Sequence, residues 1–217
     1  MVTGYRKIED LPQAIPVFPL DGAVMLPGGQ LPLNIFEPRY LNMFDDAMGG
    51  DRMIGMIQTR PGGDRERPPL SPVGCAGRVT AFAETGDGRY LVTLTGVCRF
   101  RVQEELGIMA PYRQVRADYR PFVGDLKPPP ETGLRNDGLL EALKGYLEPR
   151  GLAVDWEAAQ GAPCESLIDS LAMGLPFEPA EKQALLEAVT HAERAEILTA
   201  LLRIGAAIGD DDEPSMQ

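Results

Sequence analysis

The pattern of hydrophobic and polar positions divides this chain into two parts. Up to about residue 122, apolar residues occur in short runs or alternate with polar ones, as Cys98, Phe100 and Val102 alternate with Arg99 and Arg101. A period of two residues is typical of β-strands with one solvated face. Beyond residue 134 the apolar positions recur every three or four residues, which indicates amphipathic helices. The chain is therefore predicted to be α+β, with a β-rich part followed by a helical part.

The first part contains six or so predicted strands, with one helix among them. The strand-like runs are residues 15–20, 31–36, 53–58, 73–84, 90–95, 97–105 and 112–122. Asp87-Gly88 predicts a hairpin turn, because both residues tolerate a positive φ. The helix is predicted to begin at Pro38, with Leu41, Phe44 and Met48 on its apolar face. Short strands in this number predict a small closed or half-closed barrel.

The second part follows a proline-rich spacer, residues 124–133, which is predicted to be extended and fairly stiff. About four helices are predicted beyond it; the last begins at a capping box formed by Thr190 and Glu193. The predicted domains are residues 1–123 (β-rich), 124–133 (linker), 134–209 (helical) and 210–217 (an acidic, disordered tail).

The net charge of −11 lies entirely in the second part. Residues 1–130 carry 15 basic and 15 acidic side chains, whereas residues 131–217 carry 6 and 17. Nucleic acids and anionic membranes both attract basic surfaces, so neither is expected as a partner. No apolar run approaches bilayer length and no signal peptide is recognisable, so a cytoplasmic location is expected.

Three cysteines, Cys75, Cys98 and Cys164, are too few and too scattered for a disulfide scaffold or a zinc site. Each lies in an apolar strand or helix pattern, which predicts reduced core residues. No metal and no cofactor are expected.

Residues 15–48 read IPVFPLDGAVMLPGGQLPLNIFEPRYLNMFDDAM. This string resembles the start of the amino-terminal, substrate-binding domain of Lon-type ATP-dependent proteases, and PLNIFEPRY most resembles free-standing bacterial proteins built from that domain alone. Residues 181–187, with Arg194 and the leucine-rich helix after it, resemble the end of the same domain. The resemblance implies a PUA-like pseudo-barrel followed by a helical bundle, and a protein that holds polypeptide.

Catalytic groups of the Lon machine are not recognisable in the sequence. No G-x-x-x-x-G-K-[ST] phosphate loop is present, and the serine–lysine dyad of Lon proteases belongs to a separate carboxy-terminal domain. The single histidine, His191, is expected to be an exposed residue in the first turn of a helix. The chain is therefore predicted not to be an enzyme.

A candidate polypeptide-binding surface is formed by the turn at residues 22–30, the corner at residues 36–40 and the loop at residues 60–70, which is expected to be mobile. Its proposed contact residues are Met25, Phe36, Glu37, Arg39, Tyr40, Arg60, Arg65 and Arg67. Two alternatives stay open at this point. Phe36 and Tyr40 could belong to the core, and Glu37 and Arg39 could be architectural, supporting the helix start and pairing with a carboxylate.

The residues and the resemblance leave three functions open. The first is a non-catalytic polypeptide-binding adaptor in protein quality control, whose partners are unfolded or tagged polypeptides and an ATP-dependent protease. The second is a peptidase, which family labels alone suggest. The third is a nucleic-acid-binding module, because the Lon amino-terminal barrel is similar to PUA barrels. The missing catalytic residues disfavour the second and the charge balance disfavours the third, so the first is preferred.

Overall fold

The computed structural model describes residues 4–64, 66–107, 109–127, 137–152 and 154–211. The chain divides into two compact units: Met1–Pro128 with Pro176–Leu186, and Pro129–Leu175 with Glu187–Gln217. Residues 176–186, predicted to lie in the helical subdomain, belong to the β-rich unit in this division. Most of the predicted spacer, most of the acidic tail and Arg65 lie outside the described residues.

The described residues of the first unit form six strands, which confirms the predicted β-rich part. They are β1 (Ala14–Pro19), β2 (Gln30–Ile35), β3 (Met53–Thr59), β4 (Leu70–Glu84), β5 (Tyr90–Leu106) and β6 (Arg113–Asp118). Their order is β2-β5-β4-β3-β1-β6, and β5 also pairs with β6. Five strands therefore close into a ring, and β2 pairs with the first half of β5 outside that ring. Only the β1–β3 pair is parallel among these ladders.

Two strand predictions are corrected in detail. Residues 90–95 and 97–105 form one strand, β5, of 17 residues. Its register with β4 shifts at Val97, because Ala76 lies opposite Cys98 while Gly77 lies opposite Gly96. The last strand is shorter than predicted and is followed by a 3₁₀-helix, Arg120–Leu126. Pro121 lacks the N–H that continued strand pairing would need.

The inside of the ring is apolar and closely packed. Phe100 is fully buried, and its ring lies against Gly55 and Gly74, where a Cβ atom would come within 2.9 and 2.8 Å of it respectively. Tyr119 packs edge-on against Phe100 at a centroid distance of 6.2 Å. Small residues on β3 and β4 thus leave the space that one large aromatic residue on β5 fills.

Helix α1 (Pro38–Gly49) begins at Pro38 as predicted, with Glu37 in an extended N-cap conformation. Its buried residues are Tyr40, Met43, Phe44 and Ala47. Of the predicted apolar face, Phe44 is buried, whereas Leu41 and Met48 are only half-buried, so the buried face is rotated relative to the predicted one. The adjacent carboxylates of Asp45 and Asp46 accept hydrogen bonds from the hydroxyls of Tyr90 (2.9 Å) and Tyr112 (2.7 Å), which ties α1 to its neighbours.

The described residues after the strands form the α-helices α2 (Asp137–Leu147), α3 (Trp156–Gly161), α4 (Cys164–Gly174), α5 (Pro179–Glu187) and α6 (His191–Asp211), and a short 3₁₀-helix, Glu148–Arg150, follows α2. The short helix α3 was not predicted; Asp155 caps it by accepting a hydrogen bond from Ala158 N at 3.0 Å. At the start of α6, Glu193 N donates to Thr190 Oγ1 at 3.1 Å, as predicted. The Glu193 carboxylate accepts from Val189 N at 2.8 Å, whereas a capping box would have it accept from Thr190 N.

Two of the three cysteines are buried in the core, as predicted. Cys75 and Cys98 are fully buried, Cys164 is only partly buried, and all three are free thiols. Burial raises the pKa of the Cys75 and Cys98 thiols well above the ordinary value, because the thiolate would be poorly solvated.

A thiol titration should therefore separate the cysteines. At neutral pH the native protein should react with a thiol reagent at Cys164 alone, because only this thiol is partly exposed to the reagent, and all three cysteines should react after denaturation. Rapid labelling of Cys75 or Cys98 in the native state, located by peptide mass spectrometry, would contradict this expectation.

Candidate functional site

The corner between β2 and α1 exposes one large apolar residue. Along β2 exposed and less exposed positions alternate, and Ile35 is buried at its end. Phe36 follows and is 62% exposed. An exposed phenylalanine forgoes the free energy that burial of its ring would contribute, so a partner that covers Phe36 would gain that free energy.

Glu37 and Arg39 form an ion pair beside Phe36. Arg39 Nε and Nη2 lie 2.9 and 2.8 Å from Glu37 Oε2, and both side chains are about half exposed. The Glu37 side chain makes no capping hydrogen bond to α1. Arg39 thus has a carboxylate partner, as the architectural alternative expected, but the pair lies on the surface. Exposed pairs contribute about 0–1 kcal/mol to stability, so this pair adds little to the stability of the fold.

Two of the candidate contact residues belong to the core, which corrects the expectation for them. Tyr40 packs edge-on against Phe18 with a centroid distance of 4.3 Å, and burial raises the pKa of its hydroxyl. Met25 is fully buried, and its Sδ and Cε atoms fill the space next to Gly77. Tyr40 is buried because the helical register of α1 turns it toward the core. Met25 is buried because Gly77 has no side chain and leaves space for it.

The loop at residues 60–70 is attached to the β-rich unit at several points. Arg60 N donates to Pro69 O at 2.8 Å and Arg60 Nε to Leu70 O at 3.0 Å. Arg113 Nη1 donates to Pro68 O at 2.7 Å. Arg67 pairs with Glu105, which Arg113 also contacts at 2.6 Å. These contacts hold the ends of a loop that was expected to be mobile throughout.

Arg113 interacts with both the 60–70 loop and the corner at residues 36–40. Its charge acts on the Tyr40 hydroxyl, where it opposes the rise in pKa that burial causes. The hydrogen bond from Arg113 likewise lowers the pKa of Glu105, with a further contribution from Arg67. Arg113 and Glu105 were not among the predicted site residues. Both lie in strands, where alternating charges indicate only a solvated face.

The turn at residues 22–30 has a polar start and a buried middle. Gly22 N donates to Gln58 Oε1 at 2.9 Å, and Thr59 N donates to Asp21 Oδ1 at 2.8 Å. The turn therefore begins next to the end of β3, where the 60–70 loop also starts. Its middle residues, Val24, Met25 and Leu26, are buried.

Comparison with known proteins identifies the family. A model of the ATP-dependent protease La (LON) substrate-binding domain matches residues 14–203. The chain belongs to this family. Lon protease 2 of Myxococcus xanthus is 30% identical over 208 residues, which are 92% of this chain and 24% of that protein. Lon protease 2 of Sorangium cellulosum is 30% identical over 205 residues, 87% of this chain and 24% of that protein.

The chain therefore spans about a quarter of the length of these curated Lon relatives. The fold of the Lon substrate-binding domain family is also found by structural comparison. A Lon N-terminal domain protein from Xanthomonas campestris has a TM-score of 0.63 at 24% identity, covering 86% of this chain and 97% of that one. The N-terminal domain of a Mycobacterium avium complex Lon protease has a TM-score of 0.57 at 16% identity, covering 87% and 97%.

In this Lon substrate-binding domain, His191 is the single histidine and was the candidate considered for acid–base chemistry. Its Nε2 lies 3.2 Å from Asp169 Oδ2, while Arg194 Nη1 donates to Asp169 Oδ1 at 2.8 Å. His191 is thus partly buried and paired, whereas it was expected to be exposed. Across the described residues, no group of three His, Cys, Asp or Glu side chains is placed to hold a metal ion. No helix in the same residues is long and apolar enough to cross a membrane.

Proposed function

We propose that this protein holds polypeptide segments without cutting them, using the surface at Phe36. The observation that carries the proposal is the 62% exposure of Phe36 in a domain of the Lon substrate-binding family. Aromatic residues contribute strongly to binding when a partner covers them, because they bury a large apolar area at a small cost in side-chain entropy.

The proposed client surface comprises Phe36, Glu37, Arg39, Arg60 and Arg67. Each of these side chains is at least partly exposed. The polar members carry both signs of charge, a composition that resembles the rim of a protein interface. Arg65 remains a proposed member, although it lies outside the described residues. Met25 and Tyr40 are not part of the proposed surface, because both are buried.

The proposal includes a non-catalytic, adaptor-like role in protein quality control. The sequence has no phosphate loop, and the Asp169 carboxylate beside His191 is already shared with Arg194. An ATP-dependent protease would be the machine that receives the held polypeptide. A cytoplasmic location fits the three free thiols, because a reducing compartment keeps thiols unpaired.

Replacing Phe36 by serine should weaken capture of an unfolded client by about tenfold, because an aromatic contact of this kind is worth about 1–2 kcal/mol. The probe is fluorescein-labelled α-lactalbumin, reduced and carbamidomethylated so that it stays unfolded, and binding is measured by fluorescence anisotropy. The melting temperature should stay nearly unchanged, since Phe36 is mostly exposed. Electrophoresis after overnight incubation should show the client intact.

The matched control is Val123→Ser, which removes another exposed apolar side chain from the same unit. Equal capture by wild type, F36S and V123S would place the client elsewhere. Cleavage of the client that follows the protein through purification would replace the binding proposal by the peptidase alternative.

A further inference from the structure

Strand β2 lies at an open edge of the sheet. It pairs with β5 on one side, and no other backbone pairing involves its residues in the part of the chain that the structure describes. Gly96 N of β5 donates to Gly29 O at 2.9 Å. Since backbone direction alternates along a strand, Leu31, Leu33 and Ile35 direct their N–H and C=O groups toward β5. The residues between them direct theirs outward.

The outward row is interrupted in one position by Pro32. Proline has no N–H and is tolerated where that group would face away from the sheet, which agrees with the assignment from Gly29. The open edge therefore offers the N–H groups of Gln30 and Asn34 and the C=O groups of Gln30, Pro32 and Asn34. Unpaired strand edges of this kind pair readily with another extended chain.

The exposed side chains along β2, and the residue that follows it, carry no charge. Gln30, Pro32, Asn34 and Phe36 are exposed. Leu91, 50% exposed, lies opposite Asn34. Facing side chains of paired strands share one face of the sheet, so this face continues from β2 across β5. The same face continues onto β4, where Ala81 and Ala83 are exposed and lie opposite Thr93 and Leu91 respectively.

This combination favours an uncharged, extended occupant. The charges that follow β2 in the sequence, Glu37 and Arg39, already pair with each other. A charged segment placed on the neutral face would lose hydration without gaining a partner, whereas an apolar segment would gain from covering Phe36 and Leu91. Its backbone would complete the hydrogen bonds that the β2 edge leaves open.

We propose that a client polypeptide binds as an additional strand along β2, with Phe36 and Leu91 in contact with its apolar side chains. This inference rests on the proposed function and specifies its binding mode. The six residues of β2 define a segment of about 20 Å, at about 3.3 Å per residue. Recognition is through backbone groups and apolar contacts, so it depends on an uncharged, extended segment more than on a particular sequence.

A pair of variants at Asn34 tests the open edge. Asn34→Pro removes the outward N–H without adding charge, and Asn34→Ala removes the same side chain but keeps that N–H. With the labelled α-lactalbumin probe, N34P should bind about fivefold more weakly than wild type, and N34A within about twofold, because one backbone hydrogen bond is lost only in N34P. Melting temperatures show whether both variants remain folded.

Pro32→Thr provides an independent measurement with the opposite sign. Threonine suits a strand and restores an outward N–H, so P32T should bind the probe about two- to fivefold more tightly. The edge inference would be overturned if wild type binds the probe, N34P and N34A bind it with equal affinity, and P32T binds it no more tightly than wild type. The proposed function would then still stand. Absence of capture by wild type would overturn both. Sedimentation showing a wild-type dimer that N34P converts to monomer would assign the edge to self-association and overturn the inference.

Discussion

Asp125→Ala should destabilise the first unit by about 3–5 kcal/mol, because it removes the carboxylate that is hydrogen-bonded to the buried Arg99 guanidinium. The two side chains are 4% and 11% exposed. Asp125 Oδ2 accepts from Arg99 Nε at 2.9 Å and from Arg99 N at 3.0 Å, and Oδ1 accepts from Nη2 at 2.9 Å. Urea unfolding followed by circular dichroism measures the change.

The same guanidinium also holds a distant segment of the chain. Arg99 Nη1 donates to Leu186 O at 3.0 Å, and the guanidinium lies 4.6 Å from the centre of the Phe122 ring. Loss of Asp125 therefore disturbs β5, the 3₁₀-helix and the end of α5 together. This shared position makes the expected effect large.

Glu104→Ala is the matched control for Asp125→Ala. Glu104 pairs with Arg116 at 2.7 Å, but both side chains are about half exposed. Exposed pairs contribute about 0–1 kcal/mol, so E104A should unfold almost as wild type does. If D125A and E104A had similar midpoints, the Arg99–Asp125 pair would not be the internal support proposed for it.

Gly96→Ala should cost about 3 kcal/mol or more, because overpacking against backbone cannot be relieved by turning a side chain. A Cβ atom at Gly96 would lie 2.1 Å from Leu26 O and 2.8 Å from Leu26 C. The strand cannot easily move away, since Gly96 N donates to Gly29 O and Gly96 O accepts from Gly28 N at 2.8 Å. Thermal unfolding measures the loss.

Gly86→Ala is the control for Gly96→Ala. No atom lies within 4 Å of a Cβ at Gly86, so the added methyl group has space. The two variants add the same atom to the same strand-rich unit, and their difference reports the close approach of residues 26–29 to β5. Equal melting temperatures for G96A and G86A would show that this approach is not required.

The sequence alone determined the features that depend on neighbouring residues. The two-residue period located the strands, and Pro38 and Thr190 located the starts of α1 and α6. The apolar setting of Cys75 and Cys98 predicted their burial. Such signals are local because they arise from backbone preference, capping and the alternation of side chains. The resemblance to the Lon substrate-binding domain was carried by one continuous string, and the comparisons confirm the family.

Only the tertiary structure decided which side chains of that string are exposed. Phe36 and Tyr40 are both aromatic and lie four residues apart, yet α1 turns Tyr40 onto Phe18 and leaves Phe36 in solvent. Met25 is buried because Gly77, 52 positions later in the sequence, leaves space for it. The pattern of apolar residues near Met25 therefore could not predict its burial.

Ring closure and the position of α5 were likewise decided by contacts between distant residues. β5 pairs with β4 through one part of its length and with β6 through another, so one long strand closes the ring. Gln58 Nε2 donates to Pro179 O at 2.9 Å, and Arg99 reaches Leu186 O, which groups residues 176–186 with the strands. Local patterns predict that a helix forms, but its location depends on buried polar groups that must find partners far along the chain.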